Sequence, residues 1–482
     1  MKPEHIKLSE HLIISRVLTG LWQIADMERD GNKLDLDAAA RSMAAYGDQG
    51  FTTFDMADHY GSAELIAGIY RKKYAGKHAV QLLTKWVPTP GAVTKEDVRK
   101  AVQRALDRLQ ADRIDLMQFH AWNYADPRWL DCLFWLHELS KEGLIQCLGL
   151  TNFDTAHLRI VKASGIPVVS NQICYSLLDQ RAAGEMASYC QKNHIKILAF
   201  GTLAGGFLSE RWLGKPEPGP DDLKTWSLMK YKRFIDQAGG WEKFQSLLRT
   251  LKSAADRNEV SISNVASRFI LDSPGVGGVI IGARLGQSAH IEENLQLRKF
   301  KIDPKSRKEI ESALTQLTPI PGDCGDEYRK PPFLTASGDL SHHVESFPSP
   351  YTVKSLGNGT DRVLSGTVWE DLAGFSRAIR RNGRILISGT TATHGDAAIG
   401  GNDPVAQTHF IIDKIEGALQ SLGASIENVV RTRIYVRSLT DWEGVARAHG
   451  QRFRHVQPAN TMVRAHLIGE EYLVEMEAEA ML

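Results

Sequence analysis

No apolar run in this chain reaches the length of about 18 residues that a membrane-spanning helix needs. The N-terminal stretch Met1–Ser9 is polar and lacks the apolar region of a signal peptide, so no targeting segment is expected. A surplus of one charge is also missing. The 58 basic and 57 acidic side chains leave a net charge of +1, which gives neither nucleic acid nor an anionic membrane a reason to bind. Cysteine is scarce. Cys132, Cys147, Cys174, Cys190 and Cys324 form no CxxC pair and are odd in number, which argues against a disulfide framework, and no metal site is expected. Reduced thiols in a cytoplasmic protein are expected. Low-complexity tracts and a repeat between the two parts of the chain are absent as well.

What is present is a long chain, 482 residues with 43% apolar and 24% charged side chains. That is the composition of a globular protein, at a length that predicts two or three domains. Up to about residue 300, eight short apolar runs alternate with stretches of helical period. The runs are Val17–Gln23, Thr52–Ala57, Val80–Trp86, Ile114–Ala121, Gln146–Asn152, Val168–Tyr175, Ile195–Thr202 and Gly278–Gly282. Between them, Lys95–Leu109 places Val98, Ala101, Val102, Ala105 and Leu109 on one helical face. Eight strand–helix units predict an α/β fold, a parallel (β/α)8 TIM barrel over residues 1–317, rather than an open doubly wound sheet. Leu203–Leu247, rich in Gly and Pro, reads as a long loop on the face where such barrels carry their sites. The Pro-rich stretch 318–360 reads as a linker. A second pattern over 361–482, strand, strand, helix, strand, helix, strand, strand, predicts a separate α+β domain.

Polar residues at the ends of adjacent predicted strands carry the chemistry. Asp55 ends the second strand and Tyr60 follows in its loop, Lys85 lies on the third strand and His120 on the fourth. Lys and Asp are seldom fully buried unless paired, so these two are expected to pair. A phenol near pKa 10 is a weak proton donor at neutral pH unless neighbours assist it. A nearby Lys85 ammonium is expected to lower the pKa of Tyr60, with Asp55 holding the ammonium in place. His120 can then donate to a carbonyl oxygen and orient it. Side chains supply no hydride, so this set implies a redox cofactor. Singly, each of these residues is as readily structural. Together, on consecutive strands of one barrel, they point to carbonyl reduction.

The motifs FDMADHYGSAE, LLTKW, MQFHAW, LGLTNF, SNQICYSLLD, AFGTLAGGFL and IIGARLGQSAHIEENL, with Gly20-Leu21-Trp22 before them, resemble the aldo-keto reductase family over about residues 10–317. All four catalytic positions of that family have a counterpart here. The resemblance implies a nicotinamide dinucleotide as cofactor, with Thr151, Asn152 and Gln172 at its carboxamide. Phe200 falls at the position that stacks on the ring, although it is equally readable as a core residue. Leu203 and Gly205 fall along the pyrophosphate, and Glu293 and Asn294 near the adenine. Arg284 falls at the adenosine phosphate, where a guanidinium favours NADPH over NADH, which stays compatible. No GxGxxG is present, as befits a barrel site rather than a Rossmann one. Trp22, Trp86 and Trp122 read either as walls of a substrate pocket or as packing at the barrel top. The substrate is then a small carbonyl compound or a sugar.

The C-terminal motifs RNGRILISGTTAT, DPVAQTHFIIDKIEGALQSLGASIENVVRTRIYV, WEGVARAHGQRF, QPANTMV and LVEMEAEA resemble the Rid (YjgF-type) family over about 361–482. The resemblance implies a chorismate-mutase-like fold and a trimer with clefts between subunits. Deaminating members carry an Arg directly after a Pro-Ala pair. Here Pro458-Ala459 is followed by Asn460, which cannot form the bidentate pair with a carboxylate. Oligomerisation is therefore expected of this part before deamination, with Asn460, Arg464 and Glu475 as its candidate cleft residues, and His394 as another on chemistry alone. Two further readings of the whole chain are an NADP(H)-sensing binding protein with little turnover and a bifunctional reductase and imine deaminase.

Overall fold

The computed structural model describes residues 4–287, 290–341 and 344–482. Met1–Pro3 of the polar N-terminal stretch, and Ser288 and Ala289 of the IIGARLGQSAHIEENL motif, lie outside the described residues.

Eight parallel strands close into a barrel: β1 (Val17–Gly20), β2 (Thr53–Asp55), β3 (Gln81–Trp86), β4 (Ile114–Phe119), β5 (Ile145–Thr151), β6 (Val168–Cys174), β7 (Lys196–Phe200) and β8 (Val276–Gly282). Each pairs with its neighbour in chain order, and β8 returns to β1 through Val279↔Val17 and Ile281↔Thr19. Side chains alternate between the barrel interior and the surrounding helices. On β3, Leu83 and Lys85 point inward, while Leu82, Thr84 and Trp86 belong to the outer layer. The lower interior is apolar, filled by Leu18, Leu83, Leu116, Cys147, Leu198 and Ile280. A hairpin of His5–Lys7 and Ile13–Ser15 plugs that end with Leu8, Leu12 and Ile14. The buried Asp55–Lys85 pair and the amides of Gln118 and Gln172 lie toward the opposite end, where the strands run out.

The helix α1 (Lys95–Leu109) shows why the outer layer forms where the sequence places it. Thr94 and Asp97 make a capping box at its start, and Val98, Ala101, Val102, Ala105 and Leu109 are buried. Burying Val98, Val102 and Leu109 contributes about 1.5–3 kcal/mol each. The helix α2 (Thr155–Ala163) follows β5 and is capped by Asp154. The helix α3 (Trp226–Gln237) rises from the long loop after β7 and is capped by Thr225.

The second domain is a seven-stranded sheet ordered β9-β10-β11-β12-β15-β13-β14, with β9 (Thr352–Ser355), β10 (Thr360–Leu364), β11 (Ala378–Arg381), β12 (Arg384–Thr391), β13 (Val429–Val436), β14 (Ala459–Arg464) and β15 (Val474–Met481). Strands β9 and β11 are absent from the sequence reading. They are short and mostly exposed, so no apolar alternation marks them. The helices α4 (Pro404–Ser421) and α5 (Trp442–Phe453) cover one face. Val474, Met476, Ala478 and Ala480 point toward them, and Glu475, Glu477 and Glu479 point to the other face.

Residues 320–335 of the stretch expected as a linker lie against the barrel. Cys324, Asp326, Glu327 and Leu334 are buried. The guanidinium of Arg181 holds Asp179 and Glu327 at 2.7 and 2.8 Å. On the second domain's side, α4 packs on α2, so it is buried almost all round. The two parts also meet through Arg159–Asp403 at 2.6 Å, Asn123–Gln420 at 3.0 Å and His394–Asp131 at 2.8 Å. His394 is thus engaged with the barrel rather than with a cleft of its own domain. Among the described residues, no helix is long and apolar enough to cross a membrane.

Candidate active site

A cavity of about 700 Å³ opens at the C-terminal end of the barrel. Its floor is a buried polar layer. Lys85 Nζ donates to Asp55 Oδ2 at 2.7 Å and to the Met56 carbonyl at 2.8 Å. The other oxygen of Asp55 accepts from Gln172 at 2.7 Å and from Gln118 at 3.2 Å. Gln118 is two residues beyond Leu116 on β4 and so shares its inward direction. Asp55 and Lys85 are each about 4% exposed, and a pair this deep survives only because further donors and acceptors complete it.

Tyr60 stands over this layer, with the Lys85 ammonium 5.0 Å from its ring centroid and Trp22 edge-on at 4.9 Å. Burial pushes its phenol well above the ordinary value, and the negative charge of Asp55 adds to that. This corrects the expectation that Lys85 lowers it. The ammonium lies against Asp55, so Tyr60 faces a compensated pair rather than a bare cation. Burial likewise pulls the Lys85 ammonium below its usual value, with Asp55 opposing. His120, one residue past β4, points inward with Nδ1 3.3 Å from the Thr151 carbonyl oxygen, and Trp122 packs edge-on against it at 4.4 Å.

Thr151, Asn152, Gln172, Phe200, Leu203, Gly205, Arg284, Glu293 and Asn294 all line the same cavity. Their settings differ. Asn152 has φ +58°, a left-handed conformation that Asn tolerates better than most residues. Its Oδ1 is buried and has no hydrogen-bond partner among the described residues. An orphaned acceptor of this kind fits the amide donor of a nicotinamide carboxamide. Gln172 spends its NH2 on Asp55 and Gln118, and so buttresses the floor. Gly205, at φ +66°, leaves no room for a side chain: a Cβ would stand 2.8 Å from the Ser227 carbonyl oxygen of α3. Arg284 is ion-paired with Asp26. Glu293 accepts from Ser261 Oγ at 2.8 Å.

Of the three tryptophans, Trp22 and Trp122 line the cavity and Trp86 does not. Trp86 has the outward parity of β3 and packs on Phe119 at 5.7 Å, so its assignment to the substrate pocket is corrected.

Sequence reasoning does not single out Gln118, Trp226, Lys230 or Tyr328. Trp226 lies 5.6 Å from Trp22, its ring tilted by 39°. Tyr328, from the stretch expected as a linker, sits edge-on to His120 at 5.8 Å, and its hydroxyl accepts from Lys230 Nζ at 2.7 Å. Burial lowers the Lys230 ammonium, but the acidic groups around it, Tyr328 first, outweigh that and hold it above its usual value. Only tertiary structure brings position 328 to the barrel mouth. The one local signal is the cluster of polar and aromatic residues, Asp326-Glu327-Tyr328-Arg329, inside a Pro-rich stretch.

The second-domain candidates do not converge. Asn460 lies beside Thr432 on the helix-covered side, donating to its Oγ1 at 2.9 Å. Arg464 is exposed at the end of β14, and Glu475 is on the opposite face beside Tyr435. Within one chain these three residues form no cleft, because successive residues along a strand alternate in face.

Residues 16–315 match the family described as aldo/keto reductase, and residues 369–482 match that described as endoribonuclease L-PSP. The aldo-keto reductase YhdN of Bacillus subtilis is 27% identical over 331 residues, covering 66% of this chain and 95% of that protein. An uncharacterized protein of Streptomyces coelicolor is 38% identical over 120 residues, covering 25% of this chain and 90% of that protein. The structure of a glycerol dehydrogenase from Gluconobacter oxydans shares the fold, with a TM-score of 0.56 at 22% identity over 67% of this chain and 98% of that one. The chain therefore belongs to the aldo/keto reductase family, as an oxidoreductase whose (β/α)8 barrel continues into a domain of the L-PSP, or YjgF, family.

Proposed function

We propose that this protein reduces the carbonyl group of a small aldehyde, ketone or aldose with NADPH, and that Tyr60 donates the proton. The observation that carries the reading is the position of Tyr60 over the Asp55–Lys85 pair, at the floor of a cavity that His120 and Asn152 also line. The dinucleotide, when bound, supplies the hydride. Asn152 Oδ1 and Thr151 would hold its carboxamide, Phe200 its ring, and Leu203 and Gly205 its pyrophosphate.

The chain's own groups do the rest. Because burial holds Tyr60 as a neutral phenol, the donor stays loaded through the neutral range. The carbonyl oxygen is placed between the Tyr60 hydroxyl and His120, where charge that develops on it is met by two polar groups. Trp22, Trp122 and Trp226 present flat surfaces that keep water from the reacting carbon and suit a compact substrate. Arg284, with Glu293 and Asn294 at the same end, supports a preference for NADPH. Its ion pair with Asp26 leaves part of the guanidinium's charge already compensated, which favours a preference over an exclusion of NADH.

For the second domain we favour assembly over deamination. Asn460 replaces the expected Arg and is engaged with Thr432, and Glu475 lies on the other face. Leu386, Ile379 and Val463 remain exposed on the sheet and could serve a trimer contact.

The test is NADPH oxidation across a panel of aldehydes, ketones and aldoses. Tyr60→Phe is expected to lower turnover by about 10²–10⁴-fold, the usual worth of a positioned proton donor, while dinucleotide binding persists. Turnover retained in that variant would overturn the assignment.

A further inference from the structure

The turn between β5 and α2 holds Asn152 in a left-handed conformation, uncommon even for Asn, and the bonds around it fix it there. The bonds that fix it come from three directions. From the barrel, Asn152 N–H donates to the Gln172 carbonyl at 2.8 Å, and Asn171 Nδ2 donates to the Phe153 carbonyl at 2.9 Å. From the stretch after the barrel, Arg329 donates to the Asn152 carbonyl at 2.7 Å, and Asp323 accepts from Thr155 N–H at 3.0 Å. The third direction is the second domain. Asp154 caps α2 through His157 N–H at 2.8 Å and also bonds His157 Nδ1 at 2.6 Å. The other ring nitrogen, Nε2, meets Asp413 Oδ2 of α4 at 2.9 Å, and Asp413 Oδ1 accepts from Arg452 of α5 at 2.6 Å.

This line of groups is buried and geometrically tight. His157, Asp154 and Asp413 are all buried, and the ring of Tyr124 lies flat on His157 at 3.4 Å and 7°. A histidine gripped at both nitrogens by carboxylates cannot rotate without leaving one carboxylate buried and unsatisfied. The second domain therefore fixes the imidazole, the imidazole fixes the Asp154 cap, and the cap sits two residues from Asn152.

We propose that Asp413 is a positioning residue of the reductase's dinucleotide site, acting from the second domain through His157 and Asp154 on the turn that presents Asn152. The inference rests on the functional reading above, in which Asn152 holds the nicotinamide carboxamide. It makes the second domain a structural part of the reductase, independent of any ligand of its own.

Fluorescence titration of the full chain with NADPH, alongside KM for a carbonyl substrate, tests it. Asp413→Asn keeps the side chain's shape and removes the charge. Its Kd for NADPH is expected to rise about fivefold or more, within the usual range of coupling between sites, with KM for the carbonyl little changed. Asp403→Asn breaks the more exposed interdomain pair with Arg159 and serves as the control, expected to bind as the wild type does. Should Asp413→Asn not fold, His157→Gln carries the same expectation. Wild-type affinity in a folded Asp413→Asn or His157→Gln would overturn the proposal, and so would equal losses in Asp413→Asn and Asp403→Asn. Wild-type protein that binds no NADPH would instead overturn the functional reading, and this inference with it.

Discussion

At the scale of single residues, the site depends on compensation. Lys85 and Asp55 are buried together, and removing one leaves the other uncompensated. Lys85→Met is expected to cost about 3–5 kcal/mol of stability, read by denaturant unfolding, in addition to its effect on turnover. Tyr328 and Lys230 form a smaller pair of the same kind at the mouth. Tyr328→Phe keeps the ring on His120 and removes the acceptor from the ammonium. It is expected to raise KM for the carbonyl substrate several-fold while Kd for NADPH holds, and an unchanged KM would show that the hydroxyl plays no part in the pocket. The pairing of Asp55 with Lys85 was legible because charged side chains are costly on apolar strands and so announce a partner. Trp86 misled because a tryptophan at a strand end looks alike from either face, and only the parity fixed by inward-pointing Lys85 decides it.

At the scale of elements, the eight barrel strands were readable because each is a buried apolar run between amphipathic helices. Strands β9 and β11 were not, since an exposed, charged strand has no pattern to show. The contribution of residues 320–335 to the site was hidden for another reason: the contacts that bring them to the barrel are long-range, and proline content alone suggests a tether. Where α2 meets α4, the His157 cluster carries a pH signature. Burial lowers the imidazole, but Asp154 and Asp413 outweigh it and hold His157 above its ordinary value. Both carboxylates are held below theirs, against the effect of burial. His409 on α4 is held down to about 3 by burial, Arg452 and His157, and stays neutral. The cluster's stabilisation is thus complete from above the ordinary carboxylate range, about 4, up to the ordinary imidazole value, about 6.5, and is lost as pH rises through the raised value of His157. Asp323, pushed up to about 6 by burial and by Asp154, has the same sign in a lower window, its own contribution being lost as pH rises from about 4 to about 6. The Tm advantage of the wild type over Asp413→Asn is expected to be largest near pH 5–6.5 and to shrink in more alkaline buffer. An advantage that grows with pH would contradict this protonation scheme.

At the scale of the whole molecule, the chain is one barrel whose working end is built partly from sequence outside it. Arg329 and Tyr328 arrive from the connecting stretch and Asp413 from the second domain, and all three bear on groups that line the cavity or support its lining. The family membership of both parts was legible from local motifs, and their union was not, because it resides in ion pairs between residues some 250 positions apart. In the proposed reaction a neutral, buried phenol protonates a carbonyl as hydride arrives from a dinucleotide. Its most direct test is a single turnover with NADPH deuterated at the transferring position, with mass analysis of the alcohol formed. The wild type is expected to yield product with one deuterium on the carbinol carbon, and Tyr60→Phe, loaded to the same extent with dinucleotide, to yield almost none in the same interval. Deuterated product formed equally fast by the variant, or wild-type product without the label, would contradict the account.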